Sequence, residues 1–168
     1  MDAQPVREAA AATGRVSTLV RYDPWEDADA RHDVDWLLAE DIPRGDAWWM
    51  PWWRLIVIRA SLHPTSRRCV LAHELVHVDN DDEQLVGCGP DGPRQARRQE
   101  TRADREAARR LITIDELAAA MLTHPTNPRA VAHELDVTVE VLQERLDHLD
   151  PDERSWLERE LDRRDDAA

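Results

Sequence analysis

His73-Glu74-Leu75-Val76-His77 places two imidazoles four residues apart, with a carboxylate directly after the first. On a helix, positions i and i+4 share one face about 6 Å apart, so both rings can reach a single cation. Glu74, about 100° around, then faces a water held at that cation without having to ligate it. This is the smallest arrangement that both holds a zinc ion and gives it a base. Five residues are a short pattern that an ordinary surface helix can carry by chance, so the flanking residues decide its weight. A helix over 64–79 would put Leu71, Leu75 and Val78 on one side and Cys69, Val70 and Val76 around the histidines on the other. A helix that is apolar nearly all round is buried, and imidazoles on a buried helix need partners.

Two histidines leave a catalytic zinc one protein ligand short, because such sites generally use three protein ligands and water. Continuation as a metzincin would need Gly three and His six residues after His77, where the chain has Asn80 and Glu83. The remaining candidates are Cys88, the acidic run 79–83, His63, and the carboxylates of a long helix predicted over 94–112. On that helix, with Glu100 as zero, Asp104 falls at about 40°, Ala107 at about −20° and Leu111 at about 20°, while Arg102, Arg105 and Arg109 lie on the far side. Glu100 and Asp104 therefore share the apolar face. A carboxylate directed into a core is costly unless it is paired or ligates metal, which makes Glu100 the best third ligand. Asp104 is suited to accept a hydrogen bond from the far nitrogen of a ligating histidine. An internal salt bridge to an arginine is the plainer alternative.

The elements that must position these residues are legible in outline. Residues 1–22 form a loose, Ala-rich lead-in. Asp23-Pro24-Trp25-Glu26 is a capped helix start, with the helix running to about Arg31. Val34, Trp36 and Leu38 alternate as a strand, followed by a turn at Pro43-Arg44-Gly45-Asp46. The run 48–60, rich in tryptophan and β-branched residues, predicts a strand paired as a hairpin with the one before it, and Pro51 places that part at an edge or bulge. Its four tryptophans are expected to pack in the core and sheet more readily than to form a binding platform. After a loop at 87–93 and the long helix, Thr113-Ile114-Asp115-Glu116 caps another helix to about Leu122, and helices over 129–135, 139–149 and 151–164 complete the chain.

The 168 residues give room for one compact domain with a small appendage. A net charge of −13, with 22 basic against 35 acidic residues, argues against a general binder of nucleic acid or anionic membrane. All the basic residues are arginine. The first residues lack an uninterrupted apolar segment of the export type, and no run is long and apolar enough to span a membrane, so a cytoplasmic protein with free Cys69 and Cys88 is expected. Residues 130–146 have the apolar spacing of a helix-turn-helix. Yet 113–168 carry 6 Arg against 15 Asp and Glu, a net charge of −9, and the would-be recognition helix bears Glu140, Glu144 and Asp147, so a supporting or protein-docking element is expected in place of a DNA reader. The arginines at 94, 97, 98, 102, 105 and 109 read most simply as a solvated face, with recognition of an acidic partner as the lesser option.

The HELVH motif, the lead-in Arg67-Arg68-Cys69-Val70-Leu71-Ala72 and the later run from Glu100 through Asp104 to Ile112 together resemble the ImmA/IrrE-like metallopeptidases of bacteria, phages and mobile elements, in the short form common in actinobacteria. The likeness covers about residues 24–122. The Glu-xxx-Asp element is also similar to the second motif of thermolysin-type gluzincins. The resemblance implies an α+β fold: a small zincin-like core over 23–122, with a short sheet packed on the HExxH helix and a glutamate-bearing helix, and an all-helical C-terminal extension over 123–168. It implies one Zn2+ on His73, His77 and Glu100, Glu74 as base, Asp104 supporting a histidine, and a protein substrate such as a helix-turn-helix repressor. Val76 stands where relatives usually have Gly, and Asp104 where Asn is frequent; neither removes a ligand. Zinc-assisted hydrolysis of a peptide bond follows, with the strand at 54–60, if at an edge, holding extended substrate. The contrasting possibility is a metal-stabilised interaction module without turnover, which a fourth protein ligand such as Cys88 or His63 would favour.

Overall fold

A computed structural model describes residues 21–42, 45–82 and 92–165. The lead-in up to residue 20, the first half of the turn at 43–46, Glu83 and Cys88 lie outside the described residues. The described chain forms α1 (Pro24–Asp29), β1 (Asp35–Ala39), β2 (Ala47–Met50), a 3-10 turn (Pro51–Trp53), β3 (Leu55–Arg59), α2 (Pro64–Asp79), α3 (Gly92–Leu111), α4 (Ile114–Thr123), α5 (Pro128–Glu134), α6 (Val139–Asp147) and α7 (Pro151–Asp165). A three-stranded sheet beside a mostly helical body is the α+β class expected.

Sheet pairing differs from the expected hairpin. Residues 48–60 are two strands: Pro51, Trp52 and Trp53 make one 3-10 turn, and Arg54 at φ 48 reverses the chain. Pro51 supplies no ladder hydrogen, so the break falls there. β2 runs antiparallel to β3 with Trp49 opposite Ile56, and β1 runs parallel to β3 with Trp36 opposite Ile56. The order is β1-β3-β2, so β3 fills the gap between β1 and β2 and is central. The run Leu55-Ile56-Val57-Ile58 suits that place, since a strand covered on both faces carries continuous apolar residues, and Ile56, Val57 and Ile58 are all buried. The tryptophans divide: Trp49 is 3% exposed in the core, whereas Trp52 and Trp53 at the turn are 92% and 72% exposed.

α2 lies between two apolar clusters. Leu71, Leu75 and Val78 pack with Trp49, Ile56 and Ile58 against the sheet. Cys69, Ala72 and Val76 pack with Ala103, Ala107, Leu111, Leu117, Leu142 and Leu157 against the helices. The second cluster is continuous from α2 to α7, so the C-terminal helices are built onto the same core as α3. Ala103 and Ala107, nearly without exposed surface, keep a small side-chain profile where α3 faces α2. Local caps set the starts: Asp23 accepts from the Trp25 N–H, and Thr113 and Glu116 form the reciprocal capping box on α4.

Candidate metal centre

His73 and His77, one turn apart on α2, turn their Nε2 atoms toward each other at 3.0 Å. Glu100, on α3, brings Oε2 to 3.4 Å from His73 Nε2 and Oε1 to 3.6 Å from His77 Nε2. Among the described residues these three form a cluster of metal-type donors, with ligand atoms all within 4.8 Å of one another. Glu100 is not in a core as its helical position suggested. Its side chain is 62% exposed and that of Asp104 54%, so the cluster sits at an open rim with only its α2 side buried.

The far nitrogen of each ring meets a carboxylate. His73 Nδ1 lies 3.0 Å from Asp104 Oδ1, the contact expected for Asp104. His77 Nδ1 lies 2.9 Å from Asp82 Oδ2, a partner not singled out from sequence except as one of the acidic residues 79–83. Asp82 reaches it because α2 ends in a Schellman turn: Asp81 adopts φ 50, its N–H donates to Val78 O, and the Asp82 N–H donates to His77 O. The only local signal for this was an Asn-Asp-Asp run, residue types that tolerate the left-handed region without glycine. Asp82 is itself held by Gln99 at 3.0 Å and by Arg102 at 2.5 and 2.6 Å, and these arginine contacts keep its carboxyl below the usual range despite burial, which raises it.

With both Nδ1–H groups donated to carboxylates, both Nε2 atoms carry lone pairs, and Glu100 adds a third acceptor. Three acceptors facing one another at 3.0–3.6 Å are satisfied by a cation between them. Two imidazoles and a carboxylate fit a divalent ion of the zinc type in ligand chemistry. Burial alone would lower His73, but hydrogen bonds to Asp104 and Glu100 and the charge of Glu74 push it up to about 10.

Glu74 is buried beside the rings, and its Oε2 accepts the backbone N–H of Trp49 at 2.9 Å. Burial raises its carboxyl, opposed by the two imidazoles and that N–H. Trp49 belongs to β2, a strand with β3 on one side only among the described residues, so the sheet's edge and the glutamate meet here. Four further polar side chains are committed elsewhere. His63 caps α2 by accepting from the Thr65 N–H at 3.3 Å, Tyr22 donates to Asp27, Arg59 donates to Gly45 O, and His124 pairs with Glu134. Val76, where the resembling family usually has Gly, is fully buried against the helices.

No helix of the described residues is long and apolar enough to cross a membrane. No curated protein and no solved structure matches the chain. The family model described as Peptidase_M78, IrrE N-terminal-like domain, matches residues 18–147, reaching past the 24–122 stretch that carries the motifs and into α6. With most of its length under that match and two histidines and a glutamate gathered at one rim, the chain belongs to the IrrE N-terminal-like family of peptidases.

Proposed function

We propose that the protein is a zinc-dependent endopeptidase acting on a protein substrate, with a helix-turn-helix repressor as the substrate class that the family resemblance suggests. The supporting observation is the convergence of three lone-pair donors beside a buried glutamate that is tethered to a strand edge. In this reading His73, His77 and Glu100 hold one Zn2+, Asp104 and Asp82 fix the tautomers of the two rings, and Glu74 is the base. Zinc, when bound, supplies Lewis acidity that makes water ionisable near neutral pH and polarises a carbonyl. Glu74 takes a proton from the attacking water and delivers it to the leaving amine, and the Trp49 N–H keeps one of its oxygens oriented while the other works. β3 is paired on both sides, so residues 54–60 do not meet the condition of an edge; of the two outer strands, β2 holds Glu74 through the Trp49 N–H, and main-chain pairing with an extended substrate is assigned to it.

A purely structural metal site would need a fourth protein ligand. The described cluster has three, and His63, one of the two residues considered for that role, is occupied in capping α2. The metal donors and Glu74 fall within residues 23–122, and the acidic helices after them, which share the core with α2 and α3, are assigned to support and protein docking, without direct nucleic-acid contact. The test is Glu74→Gln: the variant should bind one equivalent of zinc and lose cleavage of repressors co-expressed with it, read by mass analysis of fragments. Undiminished cleavage by this variant would remove Glu74 from the chemistry; loss of zinc as well would make it a structural residue.

A further inference from the structure

α3 presents a second functional face. Arg98, Arg102, Arg105 and Arg109 recur at intervals of four, three and four residues, a stripe about 16 Å long on the side of the helix opposite Glu100. The stripe is one wall of a cleft of about 610 Å³ whose other wall is the turn between α6 and α7, with His148 and Glu153. Like charges at i,i+4 on one helix are mutually destabilising, and the rest of the protein does little to relieve them. Arg102 is committed to Asp82, and Arg105 has a loose contact with Glu144 at 3.8 Å. No described carboxylate lies within 4.0 Å of Arg98 or Arg109. Of the acids that line the cleft, Glu153 accepts two hydrogen bonds of 2.6 and 2.8 Å from Arg145, Glu106 accepts from Arg110 at 3.1 Å, and Asp150 accepts the Glu153 N–H at 2.8 Å.

We infer that this cleft binds an acidic segment of a protein partner, with two or three carboxylates seated on Arg98, Arg105 and Arg109. Guanidinium forks match carboxylates in pairs, and the groove excludes part of the solvent that would otherwise screen them. A long polyanion such as nucleic acid fits poorly. It would continue past the stripe onto a surface that is acidic overall, in a chain of net charge −13. A short carboxylate cluster ends where the arginines end. Apart from Arg102, which holds Asp82, the stripe lies on the face of α3 away from the metal donors, and the assignment does not depend on whether the metal centre turns over.

The experiment uses the full chain and a fluorescein-labelled seven-residue peptide with three glutamates alternating with alanine, followed by anisotropy at low salt. The peptide should bind and weaken as salt rises. The same peptide with glutamine for glutamate, and the protein with Arg98→Glu and Arg109→Glu together, should each bind at least tenfold more weakly. Both arginines are exposed, so the double variant should keep its far-UV circular dichroism and its metal stoichiometry. Equal binding of the glutamine peptide, no effect of the double variant, or a single-stranded oligonucleotide of matched charge that binds more tightly than the peptide would each overturn the assignment.

Discussion

Asp82 and His77 are joined twice, by the backbone and by the side chains: the Asp82 N–H donates to His77 O at 3.0 Å, and Asp82 Oδ2 lies 2.9 Å from His77 Nδ1. The turn that ends α2 thus also orients one of the candidate metal ligands. Partners of this kind contribute about 10–100-fold to metal affinity. Asp82→Ala should weaken zinc binding within that range in a chelator competition. An unchanged dissociation constant would mean that the Schellman turn alone sets the ring.

Asp104 does the same for His73 from the neighbouring helix, at 3.0 Å. An amide oxygen can accept the same Nδ1–H, so charge and geometry are separable here. Asp104→Asn should keep zinc affinity within about tenfold, whereas Asp104→Ala should fall further into the range of about 10–100-fold. Equal losses in the two variants would show that the negative charge, not the acceptor, is what matters.

These two partners differ in how far the sequence reveals them. Asp104 is one turn from Glu100 on the same helix, so the angular period alone places it beside the site. Asp82 depends on a left-handed Asp81, which no glycine announces. Caps at Asp23 and Thr113 and the two apolar sides of α2 were legible because each is set within a few residues. The order of the strands was not, since β1 meets β3 across about twenty intervening residues and nothing local distinguishes that partner from β2. The angle of Glu100 on its helix turns it toward the histidines but does not reveal its exposure, because an angle gives direction around a helix and not height along its neighbour.

Asp79, at the C-terminal end of α2, ties Arg31, just past α1, to Arg110 on α3. Its oxygens accept from Arg31 Nη1 at 2.5 Å and Arg110 Nη1 at 2.6 Å. Burial raises its carboxyl, but the two arginines outweigh burial and hold it below its usual 3.8. With the folded value depressed, the contribution to stability is complete above the unfolded value and is lost as pH falls through the folded one. Asp79→Asn should therefore be less stable than the parent at pH 7 in urea denaturation, and the gap should narrow below about pH 4. A gap that stays constant down to pH 3 would assign the loss to packing and not to charge.

Leu75 sits between Glu74 and Val76 in sequence but points into the sheet-side cluster with Trp49, Ile56 and Ile58. Removing its side chain should leave a cavity on the face of α2 away from α3. The cost is about 2–5 kcal/mol by the usual large-to-small penalty, read as a lower urea midpoint at unchanged slope. Zinc affinity should move less than tenfold in Leu75→Ala, because the rings are fixed by Asp104 on α3 and Asp82 after α2, not by the sheet. Glu74 is different, since its Oε2 is held by a strand packed in that same cluster. The variant should then lose peptidase activity beyond what its folded fraction explains while keeping its metal. If zinc affinity instead falls in step with stability, the metal donors and the sheet-side core are one cooperative unit and the carboxylate partners do not fix the rings by themselves.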